Sequence, residues 1–146
     1  MSSAVYLVRH AEAGAGVGGK DADRKLTERG RAGFERLLAS LGQALNVKRV
    51  LSSPLLRARE TAEMLGRAAG APVEPSDDLA SGHATGREML ALARQAGPGA
   101  ALVGHNPEIA EAIALASGSP APAPPGTIAA LDLSRPRPRL LWLRSP

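Results

Sequence analysis

Cysteine is absent from this 146-residue chain, which excludes disulfides, thiolate metal sites and a cysteine nucleophile. Aromatic residues are almost absent too, with one Trp, one Tyr and one Phe. The core must therefore be built from Leu, Val, Ile and Ala, and a row of aromatic platforms for stacked bases is missing. No apolar run approaches the roughly 20 residues that a membrane-spanning helix needs. The Met1–Val8 start has no basic stretch followed by a long apolar one, so it does not read as a signal peptide. These absences lead to the expectation of a soluble, cytoplasmic protein with no membrane partner.

What is present is ordinary for a globular chain: 44% hydrophobic and 22% charged residues. The length suits one domain spanning residues 1–146, large enough to bury a real core. The formal charge of +4 has two readings, an Arg-rich surface or attraction of anionic substrates such as phosphates. Arg and Lys form no dense block, so nucleic acid is not an expected partner.

The pattern along the chain alternates strands with helices. AVYLV (residues 4–8) is a short apolar run of the buried parallel-strand kind, ending at Arg9-His10. A glycine-bearing loop from Gly14 to Gly19 follows. Thr27 can cap a helix with Phe34, Leu37, Leu38, Leu41 and Leu45 at helical spacing. RVLS (residues 49–52) reads as a second strand. Ser53-Pro54 signals a helix from Leu55 to Ala69, with Ser53 as its cap. Gly70, Pro72 and Pro75 break that helix, and Thr85-x-x-Glu88 is a capping box for the next.

AALV (residues 100–103) is a third strand ending at Gly104-His105, and Asn106-Pro107-Glu108 opens another helix, with Asn106 read as a cap. A Pro-rich loop, SPAPAPPG (residues 119–126), leads to two closing strands near residues 127–133 and 139–143. The expected architecture is α/β: three layers, with a largely parallel central sheet flanked by helices and an antiparallel pairing at one edge.

Three strand-to-helix junctions end in cationic or imidazole groups: Arg9-His10, Ser53 with Arg57, and His105. Ligands of open α/β sheets bind beyond the carboxyl ends of the strands, so these distant motifs should converge. Helix starts there aim free N–H groups into the same crevice, which suits a phosphate. Arg9 and Arg57 can each offer a planar fork to phosphate oxygens. One imidazole can attack phosphorus while the other donates to an oxygen. No metal or other cofactor is called for, and the residues supply no obvious metal site.

At these residues the chain resembles a known family. LVRHAEA (residues 7–13), LTERG (26–30), SSPLLRARETAE (52–63) and LVGHNPEI (102–109) resemble, in order, the signature segments of the histidine phosphatase superfamily. The resemblance implies His10 as the phosphorylated nucleophile, Arg9 and Arg57 as phosphate clamps, and His105 as a further phosphate ligand. Ala11 replaces the usual glycine after the nucleophile. The family's proton-donating Glu has no unambiguous match in the middle segment, PSDDLASGHATGREML (residues 75–90), where Asp77, Asp78 and Glu88 are the candidates.

That gap bears on substrate. An alkoxide needs a proton as it departs, whereas an imidazole leaves far more readily. The short chain likewise resembles the compact SixA-type phosphohistidine phosphatases rather than the longer mutases. The expected substrate is thus phosphohistidine on a protein, with small phosphate esters as the rival. A catalytically silent phosphate-binding module is the reading from another class. Other polar residues are assigned lesser parts: His83 and Arg59 to the surface, Gly104 to a close backbone approach, and Glu12 to orienting the first loop or to solvent.

Overall fold

The computed structural model describes residues 4–146, apart from the side chain of Val17. Residues 1–3 of the leading segment lie outside the described residues. Six strands form one sheet: β1 (Ala4–Arg9), β2 (Arg49–Ser52), β3 (Val73–Pro75), β4 (Ala100–Gly104), β5 (Ile128–Asp132) and β6 (Arg139–Arg144). Their spatial order is β3-β2-β4-β1-β5-β6. β1, β2, β3 and β4 pair in parallel. β5 runs against both of its neighbours, β1 and β6. The expected antiparallel pairing stands at the edge, between β5 and β6, where their short link allows a hairpin.

Four helices cover the sheet: α1 (Glu28–Leu41), α2 (Leu56–Ala69), α3 (Gly86–Ala96) and α4 (Glu108–Ser117). The sheet's central strand explains the three layers. Ala4, Tyr6 and Val8 of β1 pack with Phe34, Leu37 and Leu38 of α1 and with Ala58, Ala62 and Leu65 of α2. Val5 and Leu7 point the other way, into a cluster with Met89 and Leu90 of α3 and Ile109 and Ile113 of α4. Burying one such Leu, Ile or Val contributes about 2 kcal/mol. With helices on both faces, β1 needs apolar residues at every position, which is why its run is continuous.

The caps of α1 and α3 follow the sequence closely. The Thr27 hydroxyl accepts from the Gly30 amide at 2.9 Å. Thr85 and Glu88 form both bonds of a capping box. α1 ends at Leu41, so Leu45 falls in a following 3-10 turn at its C-cap position rather than in the helix. β3 has no counterpart in the sequence reading, because Pro72 and Pro75 look only like breakers. At the sheet's edge a proline costs no ladder bond, so three exposed residues suffice for a strand there.

Two glycines differ in what they do. A Cβ on Gly30 would stand 2.4 Å from the Glu12 carbonyl oxygen, so the first turn of α1 can press on the first loop only with glycine there. Gly104 does not share that constraint. A Cβ on it would meet its nearest neighbours at an ordinary 3.7 Å, which corrects the close-approach expectation.

Candidate active site

The carboxyl ends of β1, β4 and β2 lie level with one another. Arg9 is paired with Gly104, and Ser52 with Val103. One residue further on, the His10 amide donates to the Gly104 carbonyl at 3.1 Å and the Ser53 amide to the Val103 carbonyl at 3.0 Å. His10, Ser53 and His105 thus leave adjacent strands at the same height. The rings of His10 and His105 lie 5.3 Å apart between centroids, tilted by 56°. Arg57 reaches the same place from the first turn of α2. The sheet brings together all four residues on which the sequence reading rests.

His10 is 6% exposed, more enclosed than a position beyond a strand end suggests. Its Nδ1 lies 2.7 Å from the Ala11 carbonyl oxygen. A carbonyl can only accept, so Nδ1 carries the hydrogen and Nε2 keeps its lone pair. The peptide that receives this bond is itself held. The Ala11 amide donates to Thr61 Oγ1 at 3.0 Å, and that hydroxyl donates to the Arg57 carbonyl at 2.8 Å. Ala11 is buried at 1%, and its small side chain fits where the family signature has glycine.

The two guanidinium groups are each anchored at one end. Arg9 donates through Nη1 to the Ala123 carbonyl at 3.0 Å, in the Pro-rich loop before β5. Arg57 donates from Nη1 to the Asp21 carbonyl at 2.9 Å and from Nη2 to Asp21 Oδ2 at 3.2 Å. Arg9 Nε, Arg57 Nε and His105 Nδ1 are buried and have no hydrogen-bond partner. A buried N–H without a partner costs on the order of 1–3 kcal/mol. Two such guanidinium N–H groups and an unpartnered ring nitrogen, on residues that come together at His10, suit an acceptor-rich group. A tetrahedral oxyanion is such a group.

Comparison with known proteins decides the family. Residues 5–100 match the model of histidine phosphatase superfamily branch 1. The chain belongs to the histidine phosphatase superfamily. An uncharacterised protein of Picosynechococcus is 37% identical over 113 residues, 73% of this chain and 68% of that protein. The structure of the protein assigned as phosphohistidine phosphatase SixA in Agrobacterium tumefaciens is similar at 28% identity. It superposes with a TM-score of 0.85 over 100% of this chain and 99% of its own. A protein histidine phosphatase SixA complexed with tungstate is 25% identical, with a TM-score of 0.83 over 98% and 97% of the two chains. The fold of this phosphatase is of the SixA type.

The phosphatase keeps both imidazoles uncharged. Burial, then the charges of Arg57 and Arg9, brings the His10 pKa down to about 4, although the Ala11 bond opposes the shift. Burial and then Arg57 bring His105 down to about 3. The unfolded chain titrates its histidines near pH 6.5, so it binds more protons than the native state below that value. Stability should therefore be level above about pH 7 and fall as the pH drops from about 6.5 towards 4. Linkage puts the loss at about 2 kcal/mol for each ring by pH 5. Urea midpoints measured against pH should show this fall, and a His10→Gln, His105→Gln double variant should be distinctly flatter.

The candidate acids are dispersed. Asp77 and Asp78 are exposed on a 3-10 turn after β3. Glu88 is exposed, and its carboxylate accepts the Thr85 amide at 3.1 Å, so the capping box takes the group that the middle segment offered as a proton donor. None of the three has a bond to the ring of His10 or His105. Glu12 orients the first loop: it accepts from Thr27 Oγ1 at 2.8 Å and from Arg29 at 2.7 Å. His83 and Arg59 are exposed.

Three features of the phosphatase had no sequence counterpart. Asp21 bridges Arg57 and, at 3.4 Å, Arg24. Burial raises its carboxyl pKa, but Arg57 and Arg24 together outweigh that and hold it below the usual range. Thr61 ties the segment after β1, at Ala11, to the helix of Arg57. Ser53 is not the cap of α2; its hydroxyl oxygen accepts from the Leu55 amide at 3.2 Å and lies 2.7 Å from His105 Nε2. Asn106 does act at a helix start, accepting from the Ala110 amide at 3.1 Å. Among the described residues, no three His, Asp or Glu side chains gather as a metal-ligand set.

Proposed function

We propose that this phosphatase removes the phosphoryl group from phosphohistidine on a protein, passing it through His10 without a metal ion. The observation that carries the reading is the uncharged His10, its Nδ1–H tied to Ala11 and its Nε2 bare, beside three buried, unpartnered nitrogens. Arg9, Arg57 and His105 would hold the non-bridging oxygens and offset the charge that gathers on them. The Nε2 lone pair then forms the bond to phosphorus as the substrate's own bond to its leaving group breaks. Water attacks phospho-His10 in a second step, releasing inorganic phosphate and restoring the ring.

The choice of phosphohistidine rests on the leaving group. Asp21 is the carboxylate bonded at the clamp, and its lowered pKa keeps it ionised and unfit to donate a proton. A site in that condition favours a departing imidazole over a departing alkoxide. The likeness to SixA proteins, at 25% and 28% identity, points the same way.

A substrate panel in excess chelator tests the whole reading. Phosphohistidine peptide and an aryl phosphate should be turned over quickly, and sugar phosphates slowly. The rate of the first step should fall steeply as the leaving group's pKa rises, because nothing protonates the departing atom. Equal rates on sugar phosphates would replace the proposal with a phosphatase of small esters. Activity lost in chelator and restored by one divalent ion would overturn metal independence.

A further inference from the structure

Ser53 sits where two chemical demands meet. It is fully buried, at the level where β2 gives way to α2. Its oxygen accepts from the Leu55 amide at 3.2 Å, and the same oxygen lies 2.7 Å from His105 Nε2. Its hydroxyl hydrogen has one acceptor among the bonds that the structure gives it, and that is Nε2. His105 Nδ1, on the other side of the ring, is buried with no partner.

Two arrangements of protons are conceivable for an uncharged His105. If Nε2 carried the hydrogen, it would donate to Ser53, whose own hydrogen would be left without an acceptor. Nδ1 would then present a lone pair to the site, repelling any phosphate oxygen. If Ser53 donates to Nε2 instead, both Ser53 groups are satisfied and Nδ1 carries the hydrogen. That leaves one open donor in the site, which an oxyanion can fill. The penalty for a buried unsatisfied polar group decides between them.

We propose that Ser53 is a positioning residue which holds His105 in the Nδ1–H form, so that the ring meets phosphate as a hydrogen-bond donor. The arrangement mirrors His10 across the site. There the Ala11 carbonyl accepts from Nδ1–H and leaves Nε2 bare for attack; here a hydroxyl donates to Nε2 and leaves Nδ1–H for binding. The same tautomer thus serves opposite ends of the reaction, one ring as nucleophile and one as donor. Neighbours of opposite hydrogen-bond character make the difference.

The inference rests on His105 as a phosphate ligand, and the test separates the two. Nitrogen-15 spectra of the wild-type chain at neutral pH report which ring nitrogen of His105 bears hydrogen. We expect Nδ1 protonated and Nε2 bare. Ser53→Ala should invert that pattern or mix the two forms. Its affinity for orthovanadate should fall roughly 10- to 100-fold, the range expected when a donor to a charged group is lost. Ser53→Cys, with its weak S–H donor, should fall in between.

An Nε2–H pattern in the wild type overturns the inference even if Ser53→Ala does not fold. So does a Ser53→Ala variant that keeps both the wild-type tautomer and wild-type vanadate affinity. A wild-type chain that shows the Nδ1–H form yet binds no vanadate leaves the tautomer standing and sinks the phosphatase site instead.

Discussion

Replacing His10 by alanine should reduce turnover of every phosphorylated substrate to the uncatalysed background, while the chain still folds. The ring supplies a lone pair at Nε2, since its Nδ1 hydrogen is committed to the Ala11 carbonyl. Without it, water would have to attack the substrate directly, with no phospho-enzyme intermediate to split the reaction into two easier steps. Arg9, Arg57 and His105 remain, so the variant should still bind vanadate. Rapid quenching with radiolabelled substrate should trap acid-labile label on the wild type and none on His10→Ala. Label retained by the variant would move the phosphorylated residue elsewhere.

The fold of that variant should survive for a physical reason. A buried imidazole held uncharged is a cost to the native state whenever the pH lies below the unfolded value. Removing it deletes the Ala11 bond and leaves a small gap, but the Ala11 amide keeps its bond to Thr61. At pH 7 the net change should be modest, within about 2 kcal/mol. At pH 5 the variant should compare better with the wild type than it does at pH 7. Denaturant midpoints at the two values check the sign.

How much of this was legible in the sequence depends on the range of each signal. β1 could be read because helices on both faces demand five apolar residues in a row. Thr27 and the Thr85–Glu88 box could be read because a cap and its partner lie three residues apart. The convergence of Arg9, His10, Arg57 and His105 followed from topology: motifs at the carboxyl ends of neighbouring parallel strands must meet. β3 was not legible, since only its place at the sheet edge makes its prolines tolerable.

Ser53 was misread because a Ser-Pro pair is a good local helix start, while its partner His105 lies 52 residues away. Asp21 carried no local pattern at all, and its bond to Arg57 spans 36 residues. Glu88 is the instructive conflict. The sequence offered it both as a cap and as a proton donor, and one carboxylate cannot serve both places. The local bond prevailed, as short-range partners tend to when no charge pulls the side chain away.

Arg57→Lys should be severely impaired although it keeps the positive charge. Arg57 is 4% exposed, with Nη1 and Nη2 engaged by Asp21 and Nε left without a partner. The guanidinium therefore has two working edges: one holds the first loop, and the other, through Nε and the second Nη2 hydrogen, is free for phosphate oxygens. A lysine has a single nitrogen on a flexible stem. It can stay with Asp21 or turn to the phosphate, and in neither place does it offer parallel N–H bonds. The loss should be about 2–4 kcal/mol of transition-state stabilisation, or roughly 30- to 1000-fold in kcat/KM. Arg59, two residues along α2, is exposed and has no side-chain bond of this kind, so Arg59→Lys should stay within about twofold of wild type. Steady-state kinetics on phosphohistidine peptide compare the pair directly. If the two lysine variants behave alike, shape at position 57 does not matter and Arg57 acts as a charge rather than as a clamp.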